Sequence, residues 1–116
     1  MIKENYGYIV QIASIVGHLS IPKLSDYCAS KAASISFSEC LRSELRAEKK
    51  TGITVTCVCP FMMDTTMFAG AKTGFPSLFP PLSTTYVVRR ILQAIEEKQF
   101  MVMIPRMMYL MVFLNR

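Results

Sequence analysis

Two residues with complementary chemistry, Tyr27 and Lys31, lie four positions apart in this sequence. On a helix that spacing places both side chains on one face, about one turn apart. A nearby ammonium favours the phenolate form of a tyrosine, so the pair could give and take a proton as a general acid/base. A Tyr-x-x-x-Lys match also arises by chance, and its meaning therefore depends on the surrounding elements.

Ser14 supplies part of that context, because it directly follows an apolar, β-branched run at 8–13. The run predicts a strand, and its near-continuous hydrophobicity predicts burial on both faces, as in a parallel sheet. Open parallel sheets place their chemistry at the carboxyl ends of the strands. The Ser14 hydroxyl could hold the reacting oxygen of a substrate there.

The next two elements must carry Tyr27 and Lys31. Ser25 is predicted to cap a long helix over 26–49, and Gly52 is predicted to stop it. A second strand is predicted at 53–59, directly after that stop.

A second helix and a third strand complete the pattern. Ser83 is predicted to cap a helix that ends near residue 98, and a strand is predicted over 100–104. Alternating strands and helices imply right-handed crossovers, and hence a doubly wound, Rossmann-like α/β sheet. With about three strands, this sheet is a partial one.

The connection at 60–82 is rich in Pro, Gly and Phe, and a loop of that length in a small domain is often functional. It is interpreted as a binding lid for a lipophilic ligand, although simple loop packing accounts for it equally well. The apolar side chains that would line it are Met67, Phe68, Phe75, Leu78, Phe79 and Leu82.

Composition excludes several classes of protein. Of the 116 residues, 52% are hydrophobic, which favours a folded core over a disordered chain. The formal charge is +5, but the basic residues are scattered, so no nucleic-acid partner is expected. The spacing of the four cysteines predicts free thiols, with Cys57 and Cys59 buried in the second strand. No metal site is expected, because His18 is the single histidine.

The segment 100–114 is strongly apolar but is interrupted by Pro105 and Arg106, so no transmembrane helix is predicted. Two interpretations of this methionine-rich tail remain open. It could make peripheral contact with a membrane surface, or it could pack against a partner.

Three segments resemble the short-chain dehydrogenase/reductase family: Ile-Ala-Ser-Ile-Val-Gly at 12–17, Tyr-Cys-Ala-Ser-Lys at 27–31 and Val-Cys-Pro at 58–60. The longer segments at 6–14 and 26–33 are similar in sequence to the membrane-associated epidermal retinol dehydrogenases and hydroxysteroid dehydrogenases of that family. The resemblance implies an oxidoreductase that moves a hydride between NAD or NADP and a lipophilic alcohol or ketone, such as retinol or a hydroxysteroid.

The resemblance also implies a role for each matched residue. Ser14 and Tyr27 would contact the substrate oxygen, Tyr27 would pass the proton, and Lys31 would support Tyr27 and bind the nicotinamide ribose. Thr65 matches the family threonine near the nicotinamide carboxamide.

Two more cofactor contacts follow from the same resemblance. The chain around Pro60 and Met63 would approach the nicotinamide ring. Phe61 departs from the family, because most relatives carry glycine after that proline.

A second departure concerns the pyrophosphate of the cofactor. No Gly-x-x-x-Gly-x-Gly turn occurs in these 116 residues. The chain is therefore expected to be the C-terminal, catalytic half of the domain, spanning 1–116, and isolated turnover is not expected. The alternative is a truncated, non-catalytic chain that docks on a full-length relative through helices 26–49 and 83–98, as a homo- or hetero-dimer. The family resemblance also implies that the protein is located at the endoplasmic reticulum membrane or at lipid droplets.

Overall fold

The computed structural model describes residues 1–66 and 80–115. Within these residues, three strands and three helices alternate, and a short 3-10 turn at Ile15–Gly17 follows the first strand. The elements are β1 (Gly7–Ile12), α1 (Ser25–Ala47), β2 (Ile53–Pro60), α2 (Thr84–Glu96), β3 (Met101–Ile104) and α3 (Met108–Leu114).

The three strands form one parallel sheet in the order β1-β2-β3. Gly7 pairs with Ile53 at the start of the β1–β2 ladder, and Cys57 pairs with Met101 at the start of the β2–β3 ladder. Parallel strands need crossover connections, and α1 and α2 provide them. The predicted partial, Rossmann-like sheet is thus confirmed.

The central strand β2 separates two apolar layers. On one face, Cys57 and Cys59 pack with residues of α1 and α3, including Ile35 and Met108. On the other face, Val58 packs with α2 and β3. Both cysteines are free and completely buried, which confirms their predicted role as small apolar side chains.

The hydrophobicity of strand β1 predicted that both of its faces would be covered. This prediction is wrong, because one face of β1 is exposed. Tyr8, Val10 and Ile12 are 40%, 37% and 47% exposed, whereas the residues between them are half-buried. Helix α2 packs on β2 and β3, and no helix among the described residues covers β1 on that side. The sequence pattern therefore reflects an apolar face that this part of the chain leaves open.

Both predicted ends of α1 need correction. The N-cap is Leu24, without a side-chain hydrogen bond, and Ser25 is the first helical residue. The helix ends at Ala47, and the chain leaves it through Lys49, whose φ of 58° lies in the left-handed region. Gly52 is needed for a different reason, because a Cβ there would lie 1.8 Å from the main-chain oxygen of Asn5.

Helix α2 begins as predicted, since Ser83 accepts a hydrogen bond from the Tyr86 N–H at 3.3 Å. It ends at Glu96, two residues before the predicted end, and Lys98 has a left-handed φ of 53°.

The apolar tail contains a helix that the sequence analysis did not predict, α3. Met108 and Val112 are buried in the core, while Phe113 on the same short helix is 77% exposed. Among the described residues, no helix is both long and apolar enough to cross a membrane. Half of the tail thus packs inside the chain, and the other half presents apolar surface.

Candidate active site

The carboxyl ends of the strands meet at one edge of the sheet, as parallel pairing requires. Ser14 follows β1 after a single residue, Pro60 ends β2, and Ile104 ends β3 and pairs with Pro60. The amino-terminal turns of α1, which carry Tyr27 and Lys31, lie at the same edge. The structure thereby gathers the predicted catalytic residues at one end of the sheet.

Ser14 is held between β2 and the 3-10 turn. Its hydroxyl donates a hydrogen bond to the Pro60 carbonyl at 3.4 Å and accepts one from the Val16 N–H at 3.5 Å. Both distances are long for hydrogen bonds, and the side chain is 9% exposed. The serine is oriented by the main chain, and its weak contacts leave the hydroxyl able to turn to a better partner.

Lys31 lies over Tyr27, with its Nζ 5.6 Å from the centroid of the phenol ring. This is within cation–π range, and both side chains are half-buried. The Lys31 ammonium also donates a hydrogen bond to the Ile12 carbonyl at 3.4 Å. The last carbonyl of β1 therefore holds the Lys31 ammonium beside the Tyr27 ring.

The Tyr27 hydroxyl itself has no hydrogen-bond partner among the described residues. It differs in this from Tyr109, whose hydroxyl bonds the main chain at both Met101 and Met103. A half-buried phenol without a protein partner can bond a substrate oxygen instead.

Gly17 sets how closely the loop after β1 approaches α1. A Cβ at this position would lie 2.5 Å from Ile35 Cδ1 and 2.8 Å from the carbonyl carbon of Lys31. The second contact is with helix backbone, which cannot turn aside as a side chain can. Glycine therefore keeps the loop that carries Ser14 against the turn that carries Lys31.

Replacing Gly17 with valine should destabilise the chain by about 1–3 kcal/mol, because the loop must move away from α1. Chemical denaturation monitored by circular dichroism measures the change. The matched control is Ala47→Val, at the exposed last residue of α1 and away from the loop that carries Gly17. A Gly17→Val chain as stable as the original would mean that this contact is not tight.

The predicted cofactor contacts lie on the segment that leaves β2. Met63 forms an isolated bridge with Leu82, and the Thr65 N–H donates to the Met63 carbonyl at 3.0 Å. No hydrogen bond among the described residues links Met63 or Thr65 to Ser14, Tyr27 or Lys31. The structure places them at the same edge of the sheet without joining them to the other site residues.

Phe61 occupies the position at which the resemblance led us to expect glycine. Its N–H donates to the Ile104 carbonyl at 2.7 Å, and its half-buried side chain packs against the core cluster around Cys57 and Cys59. The main chain after β2 is therefore tied to β3 at this point.

The predicted lid lies almost entirely outside the described residues, since Met67, Phe68, Phe75, Leu78 and Phe79 fall in 67–79. Leu82, which is described, is half-buried and packs with Val58 and Val87. For this residue, loop packing is the observed role.

The main-chain groups of the site were not predicted from the sequence. The carbonyl of Ile12 positions Lys31, and the carbonyl of Pro60 positions Ser14. No side-chain pattern encodes these carbonyls.

Two further features concern thiols and metals. A hydrogen bond shared with Cys57 and burial raise the pKa of the Cys59 thiol. Among the described residues, no group of His, Cys, Asp and Glu could hold a metal ion.

A family model described as "short chain dehydrogenase" matches residues 1–74. The chain belongs to the short-chain dehydrogenase family. The match includes Ser14, Tyr27, Lys31 and Pro60.

Curated members of the short-chain dehydrogenase family align with almost the whole chain. Epidermal retinol dehydrogenase 2 of Mus musculus is 44% identical over 115 residues, which is 99% of this chain and 37% of that protein. The chain thus spans just over a third of the length of this relative.

Solved structures of short-chain dehydrogenases share the fold. One from Burkholderia phymatum, in complex with NAD, has a TM-score of 0.81 at 25% identity and covers 98% of this chain and 48% of its own. Another from Sphingobium yanoikuyae, in complex with NADPH, has a TM-score of 0.75 at 26% identity and covers 90% and 40%. The sheet and helices described above are therefore a family arrangement.

Proposed function

We propose that the chain is the catalytic part of an NAD- or NADP-dependent oxidoreductase that acts on a lipophilic alcohol or ketone. The observation that carries the proposal is the gathering of Ser14, Tyr27 and Lys31 at the carboxyl edge of the sheet, with the Lys31 ammonium over the Tyr27 ring. Family membership and the name of the mouse relative support retinol as the first substrate to try.

Each of the three side chains has one task. The Tyr27 oxygen takes the proton of the alcohol hydroxyl during oxidation and returns it during reduction. Ser14 turns its hydroxyl from the Pro60 carbonyl to the substrate oxygen, which places that oxygen near Tyr27. Lys31 stabilises the negative charge that develops on the Tyr27 oxygen. A bound nicotinamide would accept or supply the hydride.

The donors at this edge suit the nicotinamide end of such a cofactor. A lysine ammonium has three N–H donors, and the Ile12 carbonyl uses one of those on Lys31. Two remain for the hydroxyls of a ribose. The chain near Pro60, Met63 and Thr65 would line the ring, as proposed from the family motif. The pyrophosphate finds no glycine-rich turn within these 116 residues.

The direct test uses protein purified from its native source, supplied with retinol or a hydroxysteroid and with NAD or NADP. Formation of the reduced nicotinamide is followed by absorbance and the product by chromatography. We expect turnover with at least one pair. Absence of turnover with every pair, by protein that also carries a nucleotide-binding half and is folded by circular dichroism, would contradict the oxidoreductase proposal.

A second candidate function is non-catalytic docking on a full-length relative, and exposed apolar residues on the two long helices favour it. Phe37 on α1 is 59% exposed, and Val88 and Leu92 on α2 are 48% and 56% exposed. Exposed apolar residues on helices are typical of protein–protein contacts. The same surfaces would serve a dimer of the catalytic protein.

Substitution Phe37→Glu should therefore abolish co-purification of the tagged chain with full-length mouse epidermal retinol dehydrogenase 2, because the contact would bury an unpaired charge. The comparison variant is Phe113→Glu, which changes a still more exposed phenylalanine on α3. Equal co-purification of the original chain and Phe37→Glu would exclude α1 as the docking surface.

A location at the endoplasmic reticulum membrane or lipid droplets is also a proposal. Besides family resemblance, the exposed side of α3 supports it, with Leu110, Phe113 and Leu114 all more than half exposed. Such residues could enter the headgroup region of a lipid surface.

A further inference from the structure

A cavity of about 330 Å³ opens at the amino ends of β2 and β3, on the opposite edge of the sheet from Tyr27 and Lys31. Its walls come from the last turns of α1, the start of β2 and the residues before β3. The described lining contains no carboxylate and four cations: Arg42, Arg46, Lys50 and Lys98.

None of these four cations forms an ion pair with a carboxylate among the described residues. The ion pair that those residues contain joins the amino terminus to Glu4. None of the four side chains takes part in the hydrogen bonds of residues 1–66 and 80–115. Within that part of the molecule, no carboxylate neutralises their charge through an ion pair.

Capping of the helices does not account for the cations either. Basic residues often gather at helix C-termini, where they can bond the last carbonyls. At the end of α1, however, the carbonyls of Glu44, Leu45 and Arg46 accept main-chain N–H groups of the following turn. The end of α2 is closed in the same way, by the N–H groups of residues 97–99.

Two features indicate that this cluster of cations could bind an anion in a defined position. The Arg42 guanidinium stacks 4.1 Å from the centroid of the Phe100 ring, which fixes its planar group at the cavity wall. Partial burial and the neighbouring Arg46 charge both lower the pKa of Arg42. An anion between the two guanidinium groups would relieve their repulsion.

We propose that this cavity binds a phosphate group, either free or as a monoester, at a site separate from the proposed oxidoreductase centre. A guanidinium group can donate two parallel hydrogen bonds to two oxygens of one phosphate. Lys50 and Lys98 would add two point charges. Inorganic phosphate and the headgroup of phosphatidic acid share this chemistry. The open rim of the cavity admits both.

The experiment has one arm for each source. Inorganic phosphate is titrated into the full chain by calorimetry at constant ionic strength, with chloride as the reference anion. In parallel, the chain is floated with phosphatidylcholine vesicles that contain or lack phosphatidic acid. Arg46→Glu should weaken binding about tenfold or more, and Arg46→Gln should weaken it less.

The matched control is Arg89→Glu, an equal change of charge on the exposed side of α2 and outside the cavity. Saturable binding of inorganic phosphate alone supports the site with a soluble ligand. Phosphatidic acid-dependent flotation, sensitive to Arg46 and not to Arg89, supports it with a lipid headgroup. Equal losses for Arg46→Glu and Arg89→Glu, or no binding in either arm, would overturn the proposal.

Discussion

Substitution Tyr27→Phe is expected to lower turnover of the alcohol substrate by about 10²–10⁴-fold, the range of a lost general acid/base. The change removes one hydroxyl, and that hydroxyl has no hydrogen-bond partner among the described residues. We therefore expect the free energy of unfolding to change by less than about 0.5 kcal/mol. Steady-state kinetics with the native-length protein, together with chemical denaturation, measure both quantities.

The matched control is Tyr86→Phe, since Tyr86 is an exposed tyrosine on α2 whose side chain bonds nothing in the described residues. It should leave turnover unchanged. If Tyr27→Phe retained more than about a tenth of the original activity, Tyr27 could not be the group that transfers the proton.

The parallel sheet was predictable because local pattern and global topology agree. The three apolar runs, separated by segments with helical spacing, predict a parallel sheet, and the structure has one. The capping role of Ser83 was also predictable from the sequence, since its side chain caps the first turn of α2 directly. These features depend on neighbours close in sequence.

The failures arise where residues distant in sequence decide the outcome. Gly52 looks like a helix stop, yet it is required by the approach of Asn5, 47 positions away, whose side chain also accepts its N–H. Lys49 takes the left-handed turn instead. The wrong prediction for β1 has the same kind of cause, because the burial of its second face depends on which strands α2 packs against.

The candidate site follows the same division. The Tyr27–Lys31 spacing is a helical property and was readable, whereas the bond from Lys31 to the Ile12 carbonyl requires the fold. The contact of Ser14 with Pro60 also joins residues 46 positions apart. Motif resemblance predicts that Pro60 approaches the cofactor, and the structure adds a second role, since the Pro60 carbonyl accepts the hydrogen bond of the Ser14 hydroxyl.

Substitution Lys31→Met is expected to lower turnover by about 10²–10³-fold, the loss typical of removing one group that stabilises developing charge. Methionine keeps an unbranched apolar stem over the Tyr27 ring but removes the ammonium that lies 5.6 Å from its centroid. KM for the nicotinamide cofactor should also rise, because the proposed ribose donors are lost. The same kinetic assay, run at varied cofactor concentration, separates the two effects.

Two further variants show whether charge or shape matters at this position. Lys31→Arg retains a cation that can reach the Ile12 carbonyl, so it should recover part of the turnover that Lys31→Met loses. Lys3→Met removes an equal charge from an exposed residue before β1 and should leave turnover unchanged. If Lys31→Arg were no more active than Lys31→Met, the side chain would act through precise bonding to the cofactor. If Lys31→Met were fully active, the proposed electrostatic support of Tyr27 would be wrong.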